Sequence, residues 1–383
     1  MTDITLSSAV RSNLNALQAT SDLMSNVQER LATGKKVNSA LDNPNSFFTA
    51  KGLQNRASDL STLLDDMGQS VQTLKAADEG IGAISDLVDA AKAKANQALQ
   101  TSSQSERKDF TAEYNELLTQ IEDLAKDAGY KGKNLLGGTG NDLSVIFNED
   151  GTSSLSISAV DYTDTASSTG LNLSDLAVAA DGTATLALTN GTAGAAALTA
   201  GATVVSDDDF AAGDTLTLTD STGTELGSLE ITATTTVQDV ADFVGNSSSD
   251  ISATVGTGIV ITSDIGVTLS SDGAQADVSV TPATANGFAT DTDIDNVLSA
   301  LTRAQDTLRA QASTFGTNLS IVENRQDFTN ALINTLEEGA GQLTLADTNE
   351  EGANLLALQT QQSLASTSLS LAAQADQNVL RLF

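Results

Sequence analysis

Apolar residues near the start of the chain recur in alternating steps of four and three, the spacing that keeps one face of a helix against a partner helix. The positions are Val10, Leu14, Leu17, Ser21, Met24, Gln28 and Leu31. Ser21 and Gln28 are polar where an apolar side chain is expected, so the predicted contact face is imperfect. We therefore expect this helix to be marginal in water by itself and to need partners to stay ordered.

The end of the chain repeats this spacing and predicts a last helix that runs to the final residue. Its positions are Leu355, Leu358, Gln362, Ala365, Leu369, Ala372, Asp376, Val379 and Phe383, with Leu380 and Leu382 beside the last two. The two end segments contain no other large apolar surface to pack on. We expect them to pack against each other and against the ends of neighbouring chains.

Two further helices are predicted after the first. Residues 60–95 keep a helical apolar pattern with a phase shift, and Gly80 and Gly82 are each expected to weaken it by roughly 1 kcal/mol relative to Ala. Ser103 followed by Glu106 predicts a capping box for the next helix. The stripe in these helices is most simply explained as the core of a coiled coil within one chain.

A long helix is also predicted near the C-terminal end. Asp291, Asp293 and Asp295 favour a helix start through capping and the helix dipole, and heptad-compatible spacing continues through residues 301–336. The same aspartates are spaced like the opening of a calcium loop. However, the sixth and twelfth positions of such a loop would be Asn and Thr instead of Gly and Glu, so capping is the favoured role.

The middle of the chain has period-two patterns typical of strands. A β-hairpin is predicted near residues 143–160, around Asp150 and Gly151. Thr236 and Gly245 bracket a short helical pattern, and residues 161–290 otherwise predict one or two mostly β domains. The predicted fold class is α+β: a long coiled-coil-like helical bundle from both chain ends with inserted, mostly β outer domains.

Charge separates the same regions. The 383 residues carry a net charge of −32, and no Lys or Arg occurs between Lys133 and Arg303, so residues 134–302 have a net charge of −23. Neither end has the clustered basic residues that a nucleic-acid binder needs. No window approaches 18 consecutive apolar residues, which argues against insertion in a membrane.

Catalytic chemistry is also restricted. The chain contains no Cys and no His, which removes thiolate nucleophiles, imidazole bases and the usual zinc ligands. The run Asp207–Asp209 is better explained as a solvated turn than as a metal site. We therefore expect no enzyme activity, no catalytic residues, no metal and no cofactor. The N-terminus lacks the features of a cleaved secretory signal peptide.

Two segments at opposite ends resemble bacterial flagellins: ERLATGKKVNSALDNPNSFFTAKGLQNRASDL, residues 29–60, and AAQADQNVLRLF, residues 372–383. The resemblance implies a structural subunit that polymerises through its terminal helices into the flagellar filament used for motility. It implies a family-signature loop with Asn38, Ser39, Asp42, Pro44 and Arg56. The filament-core packing residues would be Val10, Leu14, Leu17, Met24, Leu31, Leu355, Leu358, Leu369, Val379, Leu380, Leu382 and Phe383.

The resemblance also implies a division of the chain. Residues 1–44 and 345–383 would form the inner filament core, residues 45–142 and 291–344 a helical bundle with the hairpin beside it, and residues 161–290 a variable, exposed domain. The expected partners are other copies of the chain, an export chaperone, and cap or junction proteins. The expected location is the extracellular filament, reached without a cleaved signal peptide.

Two alternatives remain open at this point. A hook-filament junction protein shares both ends of the flagellin family but joins dissimilar structures. A surface adhesin would use the β insert to bind a ligand and the helices only as an anchor.

Overall fold

The computed structural model describes residues 8–191 and 196–380. The helices in these residues are α1 (Ser8–Thr33), α2 (Pro44–Gln100), α3 (Gln104–Asp127), α4 (Val237–Asn246), α5 (Asp291–Thr344) and α6 (Thr348–Leu380). The strands are β1 (Leu143–Ile146), β2 (Ser154–Ile157), β3 (Gly182–Leu186), β4 (Thr215–Asp220), β5 (Glu225–Glu230), β6 (Ile251–Val255), β7 (Ile259–Ser263), β8 (Val267–Ser271) and β9 (Val278–Val280). The α+β class with helical ends and an inserted β region is confirmed.

Helix starts follow the predicted capping signals. The Ser103 hydroxyl accepts the Glu106 N–H at the start of α3, and Thr236 forms a full capping box with the third residue of α4. At the start of α5 the cap is Thr290, whose hydroxyl accepts the Asp293 N–H at 3.2 Å while the Asp293 carboxylate accepts the Thr290 N–H. Each cap of this kind stabilises a helix by about 0.5–2 kcal/mol.

Helix α2 is longer than its apolar pattern predicts. It begins at Pro44, where the missing N–H and fixed φ suit the first helical position, and the Asn43 side chain accepts the Ser46 N–H at 3.1 Å. It then continues through Gly80 and Gly82 to Gln100 without a break. The two glycines therefore lie in the middle of one helix of 57 residues.

The described residues divide into two compact units. A terminal unit comprises Met1–Gly68, Val145–Leu155 and Val322–Phe383, and a central unit comprises Gln69–Ser144 and Ser156–Ile321. Helices α2 and α5 contribute residues to both units. The finer three-part division drawn from the sequence stays a prediction.

The helical part of the central unit is built on α2, α3 and α5. Its fully buried side chains include Ile84, Val88, Tyr114, Leu118, Ile121, Leu301, Leu308 and Phe315. Lys94 of α2 pairs with Glu113 of α3 at 2.6 Å, and Lys92 of α2 donates to Gln305 of α5 at 3.3 Å. Burying each large apolar side chain contributes about 1.5–3 kcal/mol, which makes these helices an internally satisfied bundle.

The β insert of the central unit has a core of its own. Strands pair antiparallel in the orders β3-β7-β6 and β5-β4-β8-β9. The apolar face of α4 packs with these strands in one cluster, whose buried members include Leu186, Leu216, Leu218, Val240, Val244, Ile259 and Ile261. Strand β4 alternates buried and half-buried residues, as the period-two pattern predicts.

Among the residues that the structure describes, no helix combines the length and apolar character needed to cross a bilayer.

The two glycines of α2 give opposite predictions. A Cβ on Gly80 would lie 2.7 Å from Ala128 Cβ and 2.9 Å from Leu136 Cδ1, whereas a Cβ on Gly82 meets nothing within 4 Å. We expect Gly80→Ala to lower stability by about 1–3 kcal/mol through overpacking. Gly82→Ala should raise it by up to about 1 kcal/mol, because Ala favours helix over Gly. Thermal unfolding followed by circular dichroism measures both; equal shifts of the same sign would contradict the packing at Gly80.

A candidate assembly surface at the chain ends

Helices α1 and α6 pack against each other in the terminal unit. On α6 the half-buried positions follow the predicted spacing: Leu355, Leu358, Gln362, Ala365, Leu369 and Ala372. None of these six side chains is fully buried, in contrast to the core of the central unit. The contact between the two helices therefore leaves part of its apolar surface in water.

On α1 the predicted contact face is partly wrong. Thr20 and Val27 are the buried positions, while Ser21 and Gln28 are exposed and Leu14 is 38% exposed. Val10, Leu17, Met24 and Leu31 are half-buried in the single chain, and their packing in a filament core stays a prediction.

The shift has a physical reason. The Thr20 hydroxyl donates to the Ala16 carbonyl at 2.8 Å, so its polar group is satisfied within the helix and its methyl group can be buried. Val27 buries more apolar surface than Gln28 would. Burying Thr20 and Val27 therefore costs less free energy than burying Ser21 and Gln28. At these two places the buried face of α1 is shifted by one residue from the predicted face.

The connectors beside this helix pair are joined by backbone hydrogen bonds. The N–H groups of Lys36 and Val37 both donate to the Thr344 carbonyl, at 2.8 and 3.3 Å, and the Ala346 N–H donates to the Gly34 carbonyl at 3.0 Å. Gly34 has φ of +69°, the left-handed conformation that ends α1. The turn after α1 and the turn before α6 are thus one structural element.

An ion pair crosses the same helix pair. Arg30 of α1 lies 3.1 Å from Glu351 of α6, whose side chain is only 10% exposed. Arg30 is 44% exposed, but removing it would leave the largely buried Glu351 carboxylate without this partner, which is costly. This contact favours one alignment of α1 along α6.

The signature loop is organised by one carboxylate. Asp42 Oδ2 accepts the N–H groups of Asn38 and Ser39 at 2.9 and 2.8 Å, and the Ser39 hydroxyl at 3.2 Å. These bonds, led by that from the Ser39 backbone, hold the pKa of Asp42 below its usual value. A depressed carboxyl pKa stabilises the loop above the unfolded value and loses that effect as the pH falls through the folded value.

The other signature residues lie in α2. Pro44 is its first residue, and Arg56 Nε lies 2.5 Å from Glu149 in the turn between β1 and β2. The same turn is flanked by Phe147, whose ring lies 5.1 Å from the Arg325 guanidinium of α5. Two arginines from two helices therefore hold this turn.

Helix α6 has a second apolar stripe, which the predicted spacing does not include. Leu356, Leu364 and Leu371 are 66%, 64% and 62% exposed. With about 3.6 residues per turn, they share one face of α6, opposite the face that contacts α1. We call these three residues the outer leucine stripe. Their spacing of eight and seven residues is a helical signal, but only the opposite face of this helix was predicted to be apolar.

The predicted packing residues at the end of the chain are only partly within the described structure. Val379 and Leu380 are in the last turn of α6, although their side chains are outside the described residues. Leu382 and Phe383 are outside the described residues altogether.

The described residues offer little for catalysis. Within residues 8–191 and 196–380, no group of three or more acidic side chains is arranged to hold a metal ion. Burial raises the pKa of Tyr162 to about 12, so this tyrosine stays protonated at neutral pH. The chemistry of the chain ends is that of apolar surface, with a few charges that fix alignment.

Replacing Asp42 by Ala removes the acceptor that three donors of the loop share. We expect the Asn38 and Ser39 amides to exchange with solvent several-fold faster, because opening the loop no longer breaks charge-assisted bonds. Hydrogen exchange at neutral pH measures this. Asp22→Ala, an equal change of charge on the exposed side of α1, is the control, and equal exchange in both variants would refute the role of Asp42.

Comparisons with known proteins agree with the resemblance of the chain ends. Residues 4–141 match the family model described as bacterial flagellin N-terminal helical region, and residues 298–383 match the bacterial flagellin C-terminal helical region. Flagellin A of Rhizobium meliloti is 28% identical over 412 residues, and Flagellin B of the same organism is 27% identical over 421 residues. Each alignment covers 100% of both proteins.

Solved structures of flagellar proteins are also similar to parts of the chain. A crystal structure of Xanthomonas campestris FlgL covers 73% of this chain and 98% of its own, with 12% identity and a TM-score of 0.33. The flagellar hook associated protein-3 of Legionella pneumophila covers 87% of this chain and 99% of its own, with 15% identity and a TM-score of 0.23. Scores this low do not establish a shared overall arrangement.

Proposed function

Because the chain belongs to the bacterial flagellin family, we propose that it is the structural subunit that polymerises through its terminal helices into the flagellar filament used for motility. The observation that carries this proposal is the outer leucine stripe on α6. Three large apolar side chains, each more than 60% exposed, are aligned on the face that α1 does not cover.

The stripe is costly in a solitary chain. Fully burying a leucine side chain contributes about 1.5–3 kcal/mol, so three exposed leucines on one face leave a substantial gain unrealised. A helix that is apolar on two opposite faces is typical of one buried in a larger assembly. Leu14 and Leu23 add exposed apolar surface on the neighbouring helix α1.

A second copy of the chain is the occupant that fits this surface. The surface lies on terminal helices that every copy carries, and contacts between different faces of identical subunits generate helical filaments when they do not close. We propose that residues 1–44 and 345–383 form the inner core of that filament. Val10, Leu17, Met24, Leu31, Leu355, Leu358 and Leu369 would complete their burial there.

The charge of the insert also supports assembly through the chain ends. Residues 134–302, which include the insert, carry a net charge of −23 without a single Lys or Arg. Equal charges on neighbouring inserts repel each other, which disfavours assembly through the insert and keeps the polymer soluble. We propose that the insert faces solvent while the ends assemble.

The remaining parts of the proposal follow from the family. The subunit would function outside the cell in the flagellum, after export without a cleaved signal peptide. An export chaperone and cap or junction proteins would be its partners besides other copies of itself. Flagellins are structural proteins, and we propose no enzymatic activity for this chain.

Leu364→Glu tests the outer leucine stripe. We expect it to raise the critical concentration for polymerisation of the purified protein at least tenfold, because a buried carboxylate without a partner is strongly unfavourable. Gln359→Glu adds the same carboxylate to an exposed position on the flank of the same helix and is the matched control. Sedimentation and negative-stain electron microscopy measure the filament yield.

Both variants should retain the helix content of the wild type, because Leu364 is exposed in the single chain. Equal critical concentrations for the wild type and Leu364→Glu would contradict the proposal. Failure of the purified wild-type chain to form filaments longer than short oligomers would favour a junction protein instead.

Deleting the insert tests which part assembles. Ala180 and Thr284 are already neighbours, since the Ala180 N–H donates to the Thr284 carbonyl at 3.2 Å, so residues 181–283 can be replaced by a short glycine linker. We expect filaments of reduced diameter from this variant, observed by electron microscopy. If assembly is lost while the helices still fold, the insert is the assembling part and an adhesin-like display function gains support.

A further inference from the structure

Two Asn-Gly pairs occur in the chain, and the structure places them in opposite surroundings. They are Asn190-Gly191, in the insert after β3, and Asn286-Gly287, in the segment before α5. An Asn-Gly pair favours a tight turn because glycine accepts positive φ without steric cost. It is also chemically labile, since a glycine without a Cβ lets its backbone nitrogen approach the asparagine side chain closely.

Asn190 lies at the exposed end of a short backbone pairing in the insert. Its side chain is exposed, and Gly191 has φ of +78°, which favours glycine. The Asn190 N–H donates to the Ala196 carbonyl at 3.2 Å, and the Leu198 N–H donates to the Leu188 carbonyl at 2.9 Å. Both leucines are buried in the core of the insert. The pairing is therefore anchored at its base, whereas the Asn190 amide is in water.

Asn286 is enclosed by the fold. Its side chain is only 7% exposed, and both polar atoms of its amide are buried. The Gly287 N–H donates to the Ala177 carbonyl at 2.8 Å. A Cβ on Gly287 would lie 2.5 Å from Leu176 Cβ, so the backbone is tightly packed here. Attack by the Gly287 nitrogen would break its hydrogen bond and develop negative charge in a buried site, and both are costly.

We propose that Asn190 is a site of spontaneous self-modification, at which attack by the Gly191 nitrogen converts the asparagine to aspartate or isoaspartate. The fold protects Asn286 from the same reaction. The chemistry needs only the folded single chain and does not depend on filament formation.

The reaction requires water and no other reagent. The Gly191 nitrogen gives up its proton to water and forms a bond to Asn190 Cγ, while the Cγ–Nδ2 bond breaks and ammonia leaves. Water then opens the resulting cyclic imide. Breaking the new bond to Cγ gives aspartate, and breaking the original main-chain bond to Gly191 gives isoaspartate. Each product carries a carboxylate in place of a neutral amide.

The modification would change the insert without unfolding it. Either product adds one negative charge to a region that has no Lys or Arg. Isoaspartate also lengthens the backbone between residues 190 and 191. Because Leu188 and Leu198 hold the base of the pairing in the core, we expect this change to stay within the exposed end.

The test follows both asparagines in one sample of the purified full-length protein aged in neutral buffer. Trypsin has no site between Lys133 and Arg303, but a protease that cleaves before aspartate releases residues 181–206 and 277–290. Each of these peptides contains a single asparagine. Aspartate at position 190 creates a new cleavage site, whereas isoaspartate leaves the peptide whole with one added charge. Chromatography with mass spectrometry measures both products.

We expect Asn190 to react at least ~10-fold faster than Asn286 in the folded protein. Aging the same chain in concentrated denaturant is the matched control, because it keeps both Asn-Gly pairs and removes the packing around Gly287. There the two rates should become similar. Asn190→Gln keeps an exposed amide but requires a larger ring for attack, so its peptide 181–206 should stay unmodified.

Three results would overturn the proposal. One is an unmodified Asn190 in folded protein aged for as long as the denatured chain needs to react. The second is modification of Asn286 as fast as that of Asn190 in the folded state. The third is equal modification of peptide 181–206 in Asn190→Gln, which would place the reaction at another residue.

Discussion

The structure depends on one constraint: α6 is apolar on two opposite faces, and α1 can cover only one of them. The face toward α1 is half-buried, and the outer leucine stripe is left in water. The hydrophobic effect scales with the apolar area removed from water. The exposed apolar side chains at the ends of the isolated chain therefore forgo part of this stabilisation. Identical neighbours are the simplest way to complete it. We therefore propose that the chain ends encode both a fold and an assembly.

The rest of the chain limits and directs that assembly. The helical bundle of the central unit has a fully buried core of its own. The turns after α1 and before α6 are joined through Thr344 and Gly34, and Arg30 pairs with Glu351. Asp42 then fixes the loop that leads into α2. These contacts preserve the alignment of the terminal helices, while the acidic insert discourages association through its own surface.

Much of the fold was predictable because its signals are local. Alternating steps of three and four gave the contact face of α6, and side chains such as Ser103 and Thr236 marked helix starts. The predicted contact face of α1 was wrong at Thr20, because the pattern of apolar residues does not show side-chain hydrogen bonds. Thr20 can be buried at little cost since its hydroxyl donates to a carbonyl of the same helix. The role of Gly80 could not be predicted, because its close approach to Ala128 is a tertiary contact.

Hydrogen exchange of α6 before and after polymerisation tests the central claim most directly. In the monomer, amides of residues 356–371 should exchange quickly, because a two-helix contact that is only half-buried opens readily. On polymerisation, the protection of these amides should rise by orders of magnitude, whereas the protection of the insert amides should stay the same. Strong protection already present in the monomer, or no gain on polymerisation, would contradict the claim that neighbouring copies bury the outer leucine stripe.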